Sequence, residues 1–107
     1  LLKVVFNLVE NDMPAYTIVQ GLVTDPKLFV QYMQAVPAVV EQYGGQYLIK
    51  GSGSEILEGN VDERKVVVHQ WPNADAAREF WYSPEYQVVR KLREAAGEFQ
   101  VTLVESL

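Results

Sequence analysis

Along this chain, short runs of contiguous or alternating apolar residues are separated by longer stretches in which apolar residues return every three or four positions. "AYTIVQGLV" (15 to 23) is rich in β-branched and aromatic residues. Its parity sets, Tyr16, Ile18, Gln20 and Leu22 against Thr17, Val19 and Val23, are both largely apolar, which predicts a strand with neither face given over to water. From Asp25 the period changes. Leu28, Phe29, Tyr32, Met33, Val36, Val39, Val40 and Tyr43 form one broad stripe at helical spacing. Asp25 is the expected N-cap, and Pro26 sits at the first helical position, where its missing N–H has no partner to lose. Pro37 predicts a kink in that helix, and Gly44 with Gly45 its end.

"QYLIKGSGSEILEG" (46 to 59) predicts a strand broken by a Gly-Ser-Gly bulge and resumed at Glu55, and "KVVVHQW" (65 to 71) a further strand across a hairpin loop. Asn73 is placed to cap a short helix, "ADAAREFWY". Ser83 and Pro84 open the next, "PEYQVVRKLREAA", which Gly97 stops, and "EFQVTLVES" is the last strand. The order strand, helix, strand, strand, helix, strand predicts an α+β chain of the ferredoxin-like split β-α-β kind, with helices on one face of a four-stranded antiparallel sheet. An antiparallel sheet bare on one side normally alternates polar with apolar. This one does not: Val66, Val67 and Val68 are contiguous, Ile18 adjoins Val19, and Val101 and Leu103 alternate with Val104. Both faces are therefore apolar, and a second copy is expected to cover the bare one, giving a homodimeric α/β barrel.

Composition narrows the function classes. At 107 residues, 49% hydrophobic and 21% charged, the chain suits a single core. Nine Lys and Arg against 14 Asp and Glu give a net charge of -5, so no nucleic-acid partner is expected. The absence of cysteine removes thiolate chemistry, and the single histidine, His69, removes multi-imidazole metal sites. No carboxylate cluster stands in for them, so neither a metal nor a cofactor is expected. No apolar run approaches the roughly 20 residues a spanning helix needs, so no membrane partner is expected either. The opening "LLKVVFNLVENDMPAY" contains Asn7 and lacks a small-residue cleavage site, which argues against a secretion signal and for a cytoplasmic protein. Met13-Pro14 reads as the start of the domain, 13 to 107, with residues 1 to 12 an N-terminal extension or a remnant of cloning.

Between Met13 and about Leu103 the residues "MPAYTIV", Asp25-Pro26, "VPAVVEQYGGQYLIKG", "EILEG", "VVVHQWPNADAAREFWYSPEYQ" and "VRKLR" resemble the family called domain of unknown function 1330, within the dimeric α/β-barrel group. The resemblance implies the same barrel and brings no established reaction. Relatives by fold include cofactor-independent monooxygenases, heme-degrading enzymes and ring-cleaving isomerases, and fold alone does not transfer function. The family commonly has a glutamate just before the aromatic-Pro pair, where this chain has Gln70. An amide orients a ligand but does not exchange a proton at neutral pH.

Strand parity sets Gln70 on the bare face with Val66 and Val68, and His69 on the helix side, where a lone histidine is read as a core residue rather than a catalyst. Lys50 alternates away from Tyr47 and Ile49, which are expected to meet the helices. It is placed at the barrel or its rim, where a cation holds a carboxylate or enolate. Phe80 and Trp81 read as core and Ser83 as an N-cap rather than a nucleophile. Glu85 early in the helix and Arg90, Lys91 and Arg93 late in it complement the helix dipole. Tyr82 and Tyr86 beside Arg90 are polar-tipped groups suited to a cavity mouth. "GSGS" lacks the Lys-Ser/Thr of a phosphate loop.

The first expectation is thus a homodimer binding a small, partly apolar ligand between sheet and helices, with Lys50, Gln70, Tyr82, Tyr86 and Arg90 as candidate contacts. The alternative is a cofactor-independent enzyme, monooxygenase-like or an isomerase or lyase, acting on an activated aromatic or keto substrate. A structural dimer with a closed interior is a third.

Overall fold

The structure, a computed structural model, describes residues 13–59 and 64–106, without the side chain of Ser52. The expected role of residues 1 to 12 lies outside the described residues. In chain order the elements are β1 (Ala15–Val23), α1 (Pro26–Gln42), β2 (Gln46–Ser52), β3 (Lys65–Trp71), α2 (Ala74–Tyr82), α3 (Pro84–Ala96) and β4 (Gly97–Glu105). The strands form one antiparallel sheet in the order β2-β3-β1-β4, so the first strand lies between the third and the fourth, as in a ferredoxin-like fold. Among the described residues no helix is long and apolar enough to cross a membrane.

Each helix starts where its capping residue predicts. Asp25 Oδ1 accepts from Leu28 N at 3.2 Å and Asn73 Oδ1 from Ala76 N at 2.8 Å. Ser83 serves two helices at once: its hydroxyl donates to Phe80 O at 2.7 Å, closing α2, and accepts from Tyr86 N at 3.1 Å, opening α3. Gly44, at φ +84°, follows α1 in the left-handed conformation that suits glycine. Pro37 does not divide α1, which runs as one helix on both sides of it.

The strand expected to resume at Glu55 does not form; β2 ends at Ser52. Ser54 Oγ donates to Arg64 O at 2.6 Å and accepts from Arg64 N at 3.1 Å, consuming the backbone groups that a longer ladder with β3 would need. The irregularities of β2 fall elsewhere than the Gly-Ser-Gly run suggests: register shifts occur between Tyr47 and Ile49 and between Lys50 and Ser52.

The core lies between sheet and helices. Ala15, Thr17 and Val19 of β1 and Val67, His69 and Trp71 of β3 are buried there, with Tyr32, Val36, Val39 and Val40 of α1, Ala77 and Phe80 of α2 and Tyr86 of α3. The other face carries Tyr16, Ile18, Gln20, Val66, Val68 and Gln70, all half-buried, and Gln100, Thr102 and Val104, all exposed. It is bare; Ile18, Val66 and Val68 make its centre apolar as the valine pattern predicts, whereas Gln20 and Gln70 and, on β4, Gln100 and Thr102 are polar.

No loop separates α3 from β4, and the junction is tight. Ala96 O accepts from Thr24 N at 2.8 Å and Asp25 N at 3.0 Å, drawing the end of α3 onto the β1–α1 turn. Gly97 has extended backbone there, and a Cβ on it would collide with the Leu22 carbonyl oxygen and lie 3.1 Å from Val23 Cα. The obstacle is backbone and cannot rotate away. Gly97→Ala is therefore expected to cost about 2 kcal/mol, measured by urea unfolding. Gly53→Ala, where the Cβ would meet nothing within 4 Å, serves as the near-neutral control.

Candidate functional site

Helix α3 buries Tyr86, Arg93 and Ala96. Tyr86 and Arg93 are two turns apart on one stripe, so a guanidinium follows an aromatic ring against the sheet. Arg93 is only 4% exposed. Its Nε donates to Tyr86 Oη at 3.3 Å, and its Cζ lies 5.1 Å from the Phe99 ring centroid and 5.9 Å from that of Trp81. Arg90, one turn earlier, sits 4.8 Å from the Trp81 centroid, and its Nε is 2.9 Å from Glu94 Oε1, an ion pair whose direction falls short of a hydrogen bond. The two arginines thus differ. Arg90 has a carboxylate; among the described residues Arg93 has none, the recorded ion pairs being Arg78 with Asp75 and with Glu105, and Arg90 with Glu94.

Arg93 stands between two spaces. On one side is an open groove of about 360 Å³, walled by Trp81, Arg90, Glu94, Phe99 and Val101. On the other is a closed crevice of about 10 Å³ under α1, lined by Phe29, Tyr32, Met33, Tyr47 and His69 among others, with room for one water at most. A second groove of about 300 Å³ runs along Thr17, Ala77, Arg78, Tyr82 and Leu103 and shares Trp81 and Val101 with the first.

The crevice is chemically specific. His69 is 3% exposed, with Nδ1 2.9 Å from Thr17 Oγ1, and Trp71 Nε1 lies 2.9 Å from the same oxygen. An indole only donates, so Thr17 Oγ1 accepts from Trp71, while its contact with His69 Nδ1 runs in the direction that the imidazole tautomer sets. Burial lowers the His69 pKa from 6.5 to about 4, keeping the ring neutral at physiological pH. Tyr47 meets it edge-on with centroids 4.6 Å apart, and burial pushes the Tyr47 phenol up to about 12. Burial, and then the neighbouring Tyr86 at 3.2 Å between hydroxyls, hold the Tyr32 phenol well above its usual value. At neutral pH the imidazole is uncharged and only weakly basic, and both phenols keep their protons.

Of the residues the sequence singles out, three gather around α2 and α3. Arg90 walls the first groove and Tyr82, 75% exposed, stands at the second. Tyr86 is core at 2% exposure rather than a cavity mouth, and acts here through its hydroxyl on Arg93. Gln70 lies across the sheet, opposite Tyr16 and Gln46, and lines a separate hollow with Pro14 and Pro72. Lys50 joins neither group. The register shift after Tyr47 sets Ile49 opposite Val68 on the bare face and Lys50 opposite Val67, whose side chain is buried under the helices. The expected faces of Ile49 and Lys50 are thereby exchanged, because one extra residue in a strand flips every side chain after it. Arg93, Trp81 and Thr17 are the site residues that sequence reasoning passes over. The one available signal is a cation on the apolar stripe of α3.

Residues 14–107 match the family described as Domain of unknown function (DUF1330). The chain belongs to that family. Among solved structures, this DUF1330 chain is similar to a Rhodopseudomonas palustris protein of unknown function, at 18% identity over 99% of this chain and 92% of that one, with TM-score 0.76. It is also similar to SnoaB, a cofactor-independent oxygenase from Streptomyces nogalater, at 15% identity, 89% and 94% coverage and TM-score 0.62. A dimeric ferredoxin-like protein of unknown function from Thermobifida fusca matches at 10% identity, 88% and 92% coverage and TM-score 0.58. At these identities the likeness is one of fold. No curated protein matches the chain.

The His69 environment has a testable consequence for stability. Its folded pKa is depressed, so as pH falls below 6.5 the unfolded chain takes up a proton that the folded chain refuses until about pH 4. Stability is full above pH 6.5 and declines towards pH 4, by roughly 3 kcal/mol at most. Thermal unfolding between pH 7 and pH 5 is expected to show a falling midpoint, and His69→Gln a flatter one over the same interval.

Proposed function

We propose that the protein is a homodimeric α/β-barrel module that binds a small, partly apolar molecule between its sheet and its helices, in the grooves flanking Trp81. The observation that carries this reading is the pair of adjoining grooves itself. Each combines apolar walls, Phe99 and Val101 in one and Ala77, Val101 and Leu103 in the other, with an arginine, Arg90 or Arg78. The second groove, mainly apolar with one arginine, has the mixture that small-molecule sites have, and the first adds three charged side chains, Arg90, Arg93 and Glu94, beside its apolar wall. Arg90 and Tyr82 are the direct contacts in this reading, and Tyr86 contributes by fixing Arg93.

The dimer rests on the bare face. Across β1, β3 and β4 that face offers Ile18, Leu22, Val66, Val68 and Val104, with Glu98 as the single charge among its positions. A patch of that kind is suited to burial against its own copy. The Thermobifida fusca neighbour is described as dimeric. In the dimer Gln70 faces the partner copy, while Lys50 on the edge strand remains a solvent-side cation available to either groove only by movement.

A cofactor-independent enzyme is the second reading, favoured by the fold shared with SnoaB and by a carboxylate, Glu94, in the groove wall. It is weakened by the pairing of Glu94 with Arg90 and by the burial of His69, which leaves its imidazole a weak proton acceptor.

Two measurements test the binding reading. Sedimentation is expected to give twice the 12.1 kDa chain mass, and Val68→Asp to give the single mass; a monomeric parent protein sinks the barrel. A thermal-shift series of small aromatic compounds is expected to include stabilisers whose effect disappears in Trp81→Ala.

A further inference from the structure

We propose that Arg93 is the anion-binding residue of this groove, and that the ligand is a flat or compact apolar molecule bearing one oxyanion, such as a monocarboxylate or an enolate. The inference rests on the groove reading and names the ligand class it takes.

Hydrogen-bond accounting around Arg93 shows donors without acceptors. Arg93 Nε donates to Tyr86 Oη, and the Tyr32 and Tyr86 hydroxyls lie 3.2 Å apart. Two hydroxyl oxygens joined by one contact use one hydroxyl hydrogen, so the other has no acceptor among the described residues. The two terminal nitrogens of Arg93 bring four further N–H groups, and its one hydrogen bond among the described residues is the Nε contact to Tyr86. A buried cation with free donors beside an open groove calls for an oxyanion there.

Electrostatics points the same way. A guanidinium 4% exposed without a carboxylate carries an uncompensated desolvation penalty. The faces of Phe99 and Trp81 offset part of that and supply no charge. With Nε directed to Tyr86, the guanidinium edge left for a ligand is the one formed by its two terminal nitrogens, which matches a carboxylate end-on. Arg90 is not equivalent, because Glu94 already neutralises it.

The walls set the rest of the ligand. Trp81, Phe99 and Val101 give the open groove apolar surface beside Arg93, in about 360 Å³. With Glu94 paired to Arg90 in the same wall, Arg93 leaves one positive charge to be matched. A monoanion is therefore preferred to a phosphate dianion.

The test uses the full chain and three probes: benzoate, its neutral isostere benzamide, and the dianion phenyl phosphate. Benzoate is expected to shift the Nε resonance of Arg93 and the indole N–H of Trp81, with benzamide and phenyl phosphate binding more weakly. Arg93→Gln is expected to weaken benzoate about tenfold or more, and Arg90→Gln to leave it nearly unchanged. If Arg93→Gln does not fold, the titration of the unaltered protein decides the matter. Equal binding of benzoate and benzamide at Trp81, with Arg93 unmoved, overturns the anion assignment and leaves the groove reading standing. Failure of all three probes to move Trp81 overturns the groove and the assignment together. An Arg93 resonance insensitive to benzoate while Trp81 responds identifies a guanidinium already neutralised by the chain's own carboxylates, which also overturns it.

Discussion

The aromatic contact series from Trp71 through Phe80 to Tyr86 is the interaction on which the remaining geometry depends. Ring centroids are 4.6 Å apart at the first step and 4.3 Å at the second, and the series joins the end of β3 to α2 and α3. Trp71 is fixed at the sheet end by its hydrogen bond to Thr17, and Ser83 fixes the α2–α3 joint between Phe80 and Tyr86. Burying three such rings contributes roughly 3 kcal/mol each. That is enough to outweigh the several kcal/mol lost by holding one cation out of water. Because Tyr86 is anchored, its hydroxyl can direct Arg93 Nε, and the guanidinium keeps its place between groove and crevice.

Much of this was legible in the chain. Asp25, Asn73 and Ser83 mark helix starts because their side chains satisfy orphan N–H groups locally, and local hydrogen bonds are what sequence encodes most directly. The bare apolar face was legible too, since strand parity needs no knowledge of partners. Lys50 was misplaced because its orientation depends on pairing with β3: the register shift after Tyr47 is a property of two strands and leaves no mark in one. Arg93 failed for a different reason. Its position late in α3 is accounted for by the helix dipole, and its place on the stripe with Tyr86 and Val89 was visible, but only the approach of Phe99 on β4 turns a helix-end cation into a buried one. The family was recognisable from contiguous motifs, whereas the candidate site is assembled from β1, β3, β4, α1, α2 and α3 and has no contiguous signature.

Both faces of the sheet mix polar with apolar residues. A sheet covered on one side ordinarily keeps polar residues on the open face and apolar ones under the helices. Here Thr17, His69 and Arg93 lie under the helices, while Ile18, Val66 and Val68 lie open. The buried polar groups fall into two sets. Thr17, His69 Nδ1 and Trp71 satisfy one another and need nothing further, so they specify packing. Arg93 does not reach such closure: among the described residues its single hydrogen bond is to Tyr86, and that is the basis of the proposed anion site. The open valines specify apolar contact, which neither an ion nor a polar molecule supplies. One sheet therefore presents two different demands on opposite sides, and covering the valine face with a second copy leaves the grooves beside Trp81 open. Alternate residues of β1 carry the two roles: Thr17 touches the interior network, and Tyr16 and Ile18 on either side of it face the other way. β4 does the same, with Phe99, Val101 and Leu103 in the grooves and Gln100, Thr102 and Val104 facing the other way, so any coupling between dimerisation and ligand binding runs through these two strands.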